Sequence, residues 1–111
     1  MERYEEARVN AMAVLVALIE GKTDTILAAR KLSSLRRALA GNEFDDDWRT
    51  FTCIDSETDH LPVGEERKQW AADALAAKDV EIQHTEDRYR DPALAAACNL
   101  LRRYREPTQS R

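Results

Sequence analysis

Residues 1–41 read MERYEEARVNAMAVLVALIEGKTDTILAARKLSSLRRALAG, and the spacing of the apolar residues within them decides the fold class. Tyr4, Ala7, Ala11, Leu15 and Leu18 recur every three or four positions, the period of one face of an α-helix. Glu2, Glu5 and Glu6 lie in its first turn, where carboxylates complement the positive end of the helix dipole, and Gly21 stands where a left-handed C-terminal residue is needed. Thr23 or Asp24 can cap a second helix, whose Ala28, Leu32, Leu35 and Leu39 form one stripe, with Arg30, Lys31, Arg36 and Arg37 mostly outside it and Gly41 at its end. A connection of only about three residues makes the two helices an antiparallel hairpin.

The rest of the chain agrees. Three Gly and three Pro in 111 residues are few for an all-β protein, and 43% hydrophobic with 34% charged residues is too apolar for a disordered chain. The longest apolar run, Ala11 to Ile19, is under half of the about 20 residues that a bilayer requires, so no membrane segment is expected. Acidic residues near the start have the wrong sign for an export signal, which points to a cytoplasmic protein. Cys53 and Cys98 form no CxxC pair and read as buried thiols rather than a disulfide.

Phe44, Trp48 and Phe51 stand at i, i+4 and i+7 behind Asp45, Asp46 and Asp47, an acidic helix start followed by a buried face. Arg49 to Ile54 also alternates as a strand does, but has no second strand to pair with, so helix is preferred. Glu65 to Tyr89 contains no Gly or Pro, and Leu75, Ile82 and Tyr89 recur at seven, predicting one long helix with room for a kink near Trp70. Asp91 and Pro92 read as the N-cap and first residue of a last helix with Leu94, Ala97, Cys98, Leu101 and Tyr104 on its buried face. The expectation is an all-α protein: a single helical domain over residues 1–111, a bundle of about five helices, with residues 107–111 frayed.

The formal net charge of −4 is unevenly distributed: residues 43–59 carry −6, and the remainder of the chain +2. Three readings of this segment follow. As a surface, Asp45, Asp46, Asp47 and Trp48 make an acidic edge with an aromatic anchor for a basic protein partner. As structure, Asp55, Glu57, Asp59 and His60 form a polar network, with Arg49, Arg67, Arg88 and Arg102 as candidate counter-charges. As a metal site, the same Asp55, Glu57, Asp59 and His60 supply ligands of the right type, since Asp55 and Asp59 share a helix face. The spacing matches neither HExxH nor a calcium loop, whose turn needs a Gly that is missing. No cofactor is expected, because no Gly-rich phosphate loop exists, and no Ser, Cys or His stands in a nucleophile motif. The basic groups of the second and last helices read as solvated faces, and the overall acidity disfavours nucleic acid. A homo-oligomer with Trp70 or the Arg-rich last helix at its interface is a further reading.

The segment Ile54-Asp55-Ser56-Glu57-Thr58-Asp59-His60-Leu61-Pro62-Val63-Gly64, followed by Trp70 and the closing Leu100-Leu101-Arg102-Arg103-Tyr104, resembles a family of small uncharacterised bacterial helical proteins. That resemblance implies a bacterial cytosolic protein and assigns no catalytic residue. In its small size, acidity and helical character the chain is also similar to immunity proteins, which neutralise basic toxin domains. The functional expectation is therefore a protein-binding module without enzymatic activity. The alternative is a small metal-binding or metal-dependent hydrolytic protein built on Asp55 to His60.

Overall fold

The computed structural model describes residues 2–39 and 45–105, which form five helical elements and, among the described residues, no strand. Helices α1 (Glu2–Ile19), α2 (Thr25–Leu39) and α3 (Asp46–Thr58) precede a short 3-10 helix (Gly64–Gln69) and α4 (Ala72–Arg105). The protein is an all-α bundle in which α2 and α4 each pack against α1 and α3, so that α1 and α3 lie diagonally across from one another.

The first hairpin forms as the spacing predicts, except that Tyr4, at the start of the stripe, is 42% exposed. Ala7, Ala11, Leu15 and Leu18 are buried, and Gly21, at φ +76°, ends α1: its amide donates to the Leu18 carbonyl at 3.1 Å and the Lys22 amide to the Ala17 carbonyl at 2.8 Å. This pair of bonds satisfies two carbonyls of the last turn and requires the left-handed conformation that glycine adopts without a Cβ penalty. Ala28, Ala29 and Leu32 of α2 meet Leu15 and Leu18 of α1, Trp48, Phe51 and Ile54 of α3, and Ala93, Ala97 and Leu100 of α4 in one core. A smaller cluster of Ile26, Leu61 and Val63, joined by Leu27 and Ile82, holds the connection after α3 against α2 and α4.

Three long-range contacts secure helix ends that would otherwise leave backbone groups unpaired. Arg8 of α1 donates to the Tyr104 carbonyl at the end of α4 at 2.8 Å. Arg30 of α2 donates to the Thr58 and Leu61 carbonyls, closing the end of α3. Glu86 of α4, buried, accepts the Thr25 and Ile26 amides at the start of α2, both at 2.9 Å. Asp24 supplies the carbonyl for the first bond within α2, from the Ala28 amide, but the Ile26 amide that a Thr23 or Asp24 side chain was expected to cap is held by Glu86.

The second half of the chain departs from its reading at three points. Glu65 to Tyr89 is not one helix: the 3-10 turn ends at Trp70, whose extended backbone (φ −104°, ψ 144°) separates it from α4. In a continuous helix Arg67 and Asp79 would lie about 18 Å apart. The break folds the turn back so that Arg67 grips Asp79 through two bonds of 2.7 and 3.1 Å and reaches the Pro62 carbonyl. Conversely, Asp91 and Pro92 start no new helix, because α4 runs through them for 34 residues. Pro92 costs one hydrogen bond, to the Arg88 carbonyl, but both residues are exposed, on the side where water replaces the lost donor, while the buried Glu86, Ala93 and Ala97 anchor the helix on either side. Finally, Cys53 and Cys98 are free and exposed, not buried thiols. Gly41, Phe44 and the 107–111 tail lie outside the described residues.

Candidate functional site

The acidic segment folds as α3 and divides into groups with different work. Asp45 is the N-cap, its carboxylate accepting the Asp47 and Trp48 amides at 2.9 and 3.1 Å. The same carboxylate receives Arg103 of α4 through bonds of 2.6 and 3.1 Å, and Asp47 accepts from Arg103 at 3.2 Å and from Asn99 at 3.1 Å. The Arg103 bond holds the Asp45 carboxyl below its ordinary value; partial burial opposes this, and the two amide bonds add to it. One guanidinium thus serves both Asp45 and Asp47 and offsets one of their two charges, whereas the Asp46 side chain is 92% exposed, with Arg49 at 3.7 Å.

Trp48 is not a surface anchor. It is 2% exposed, packs edge-on against Tyr104 at 6.4 Å between ring centroids, and donates its indole N–H to the Tyr104 hydroxyl at 3.1 Å. Trp48 is thereby removed as the aromatic anchor of an edge formed with Asp45, Asp46 and Asp47; Asp45 and Asp47 join α3 to α4 through Arg103, and Asp46 projects into solvent. The inward face of α3 runs through Trp48, Phe51, Ile54 and Thr58, which leaves Asp55 half-buried at its margin rather than in the core.

Asp55, Glu57, Asp59 and His60 do not converge. Glu57 accepts a hydrogen bond from the Tyr89 hydroxyl, and that bond pushes the Tyr89 pKa up. His60 pairs with Glu81 of α4 at 2.8 Å through Nε2, and this contact holds the Glu81 carboxyl below its ordinary value. Asp59 is the exposed C-cap residue of α3. Among the described residues no three His, Cys, Asp or Glu side chains are placed to hold a metal ion. The partners found differ from those expected: Arg103 and Tyr89 hold the acids of α3, while Arg67 pairs with Asp79. The fold brings together residues 45 to 60 with 81 to 103 of α4, a pairing that no local spacing announces. Glu86 is an exception. It interrupts the apolar stripe Leu75, Ile82, Tyr89 and Ala93, and a carboxylate on such a stripe signals a buried partner.

What the arrangement leaves open is a shallow groove of about 380 Å³ between α3 and α4, lined by Asp46, Arg49, Thr50, Cys53, Tyr89 and Pro92. Asp46, Thr50, Cys53 and Glu57 follow at i, i+4, i+7 and i+11 along the solvent face of α3. The groove thus has an apolar floor of Cys53, Pro92 and the Tyr89 ring, over which Arg88 lies at 5.4 Å, with Asp46 and its neighbour Arg49 at one end and Glu57, bound to Tyr89, beyond the other. Comparison of the chain with family models, curated proteins and solved structures finds no match.

Proposed function

We propose that the protein is a protein-binding module that receives a basic partner along the solvent edge of α3, most concretely as an immunity protein or comparable inhibitor of a basic toxin domain. The observation that carries this reading is the α3/α4 groove, where an apolar floor lies between the exposed Asp46 and Glu57 while the neighbouring Asp45 and Asp47 are bound to Arg103. Apolar area supplies affinity, and the exposed carboxylates of Asp46, beside Arg49, and of Glu57, which accepts from Tyr89, orient a positively charged surface. A cytoplasmic setting belongs to the same proposal. No described helix is long and apolar enough to cross a membrane.

A photo-crosslinking side chain at Thr50, in protein produced by its native cell, tests this. The expected adduct is a protein of net positive charge, absent when the same group is placed at Ser34 on the exposed side of α2 and lost when Asp46→Lys and Glu57→Lys are combined. An adduct with an acidic protein, or equal yields from Thr50 and Ser34, refutes the acidic-groove reading.

A further inference from the structure

We infer that residues 59–85, the connection after α3 together with the first part of α4, form a latch that opens as one unit while the rest of the bundle stays folded. Residues 59–70 join α3 to α4 as a strap with little backbone support. Outside the 3-10 turn its amides bond locally, Leu61 to the Thr58 carbonyl and Trp70 to the Arg67 carbonyl, and among the described residues no backbone hydrogen bond ties the strap to α2 or α4. Side chains hold it instead. Arg30 of α2 binds the Thr58 and Leu61 carbonyls and Glu66, while Arg67 and His60 of the strap bind Asp79 and Glu81 of α4. In both pairs with α4 each side chain is at least 36% exposed, and ion pairs so open to water contribute little. The apolar contact is set apart as well: Leu61 and Val63 pack with Ile26, Leu27 and Ile82 in a cluster separate from the core that unites the four long helices.

The first part of α4 depends on the strap in turn. None of residues 72–85 is buried, and the buried face of α4 begins at Glu86. Asp79, Glu81 and Ile82 meet Arg67, His60 and the small apolar cluster. Released from them, residues 72–85 are a solvated helix end about 21 Å long, and helices of that length are marginal in water. Detachment of the strap therefore unwinds this end too. Glu86 marks the boundary: its carboxylate holds the Thr25 and Ile26 amides without help from the strap, so α2 and the remainder of α4 stay joined when the latch opens. Opening bares Ile26, Leu27 and Ile82, which Leu61 and Val63 cover in the closed form. The latch shares no residue with the lining of the α3/α4 groove and stands or falls separately from it.

Native-state hydrogen exchange of the full chain, followed amide by amide by NMR at low urea concentrations, tests this. The amides of Leu61 and of residues 76–85 are expected to share one opening with a common urea dependence, because surface is exposed in a single step. They should exchange about a hundredfold faster or more than the amides of Ile54 and Leu100, which open only with the bundle. Arg67→Ala and Asp79→Asn, both at exposed positions that keep the fold, should each speed exchange of the latch set about threefold and leave Thr25, Ile54 and Leu100 unchanged. A graded series along residues 76–85 without urea dependence, which is fraying of a helix end, overturns the inference. So does exchange of the latch set at the rate of Ile54 and Leu100, or equal acceleration of both sets in the two variants.

Discussion

Replacing Glu86 tests how far the bundle depends on a single cross-helix cap. Its carboxylate is the acceptor for the Thr25 and Ile26 amides, and those residues are 4% and 0% exposed, so water does not readily replace it. A hydrogen bond to a charged acceptor contributes about 1.5–3 kcal/mol, and a carboxylate at a helix N-terminus about 0.3–1 kcal/mol more. Part of this is returned because the variant no longer desolvates a carboxylate, so Glu86→Ala should lose about 3 kcal/mol, out of a total of about 5–15 kcal/mol for a domain. At about 4 °C per kcal/mol for a chain of this size, the melting temperature followed by circular dichroism should fall by about 12 °C. Glu86→Gln retains one acceptor oxygen and should lose about 1 kcal/mol. Hydrogen exchange of the Thr25 and Ile26 amides should accelerate in both variants, more than that of amides in the middle of α2. A Glu86→Ala protein within about 0.5 kcal/mol of the parent would falsify the argument, since surface changes have effects of that size.

Two further outcomes follow from other joints. Asp45→Asn keeps a good N-cap but removes the charge that faces Arg103, a half-exposed partner, so the loss at neutral pH should be about 0.5–1 kcal/mol. Because the folded-state pKa of Asp45 is lowered, its charge stabilises the fold above the unfolded value of about 3.9, and this is lost as pH falls through the folded value. Denaturation curves of parent and variant should therefore draw together below about pH 4, and a gap that widens there contradicts the assignment. Pro92→Ala restores the hydrogen bond to the Arg88 carbonyl and should raise stability by about 1–2 kcal/mol; a lower melting temperature would show that the proline is needed where it stands.

Much of the fold was readable from short-range patterns. A period of three to four located α1, α2 and α3, the aspartates marked the start of α3, and Gly21 marked the end of α1, because each of these depends on residues within one or two turns. Pro92 misled because a local rule against proline in helices was outweighed by burial of Ala93, Ala97 and Leu100 beyond it. The sequence allows a kink near Trp70 but does not show a complete break there, because its compensation, the Arg67 to Asp79 pair, forms only after the chain has turned back.

The candidate site shows the same division more sharply. The sequence alone determined that this chain is helical and that its acidity is concentrated before and within α3, since propensity, periodicity and charge are properties of neighbours in the chain. Only the tertiary structure decided which of those acids are free. Arg103 stands more than 50 residues from Asp45 yet pairs with it, Tyr104 takes the indole of Trp48 into the core, and Tyr89 reaches Glu57. The physical reason is that a carboxylate's availability is set by what lies within about 3 Å of it, and packing α3 against α4 chooses those neighbours without regard to their distance along the chain.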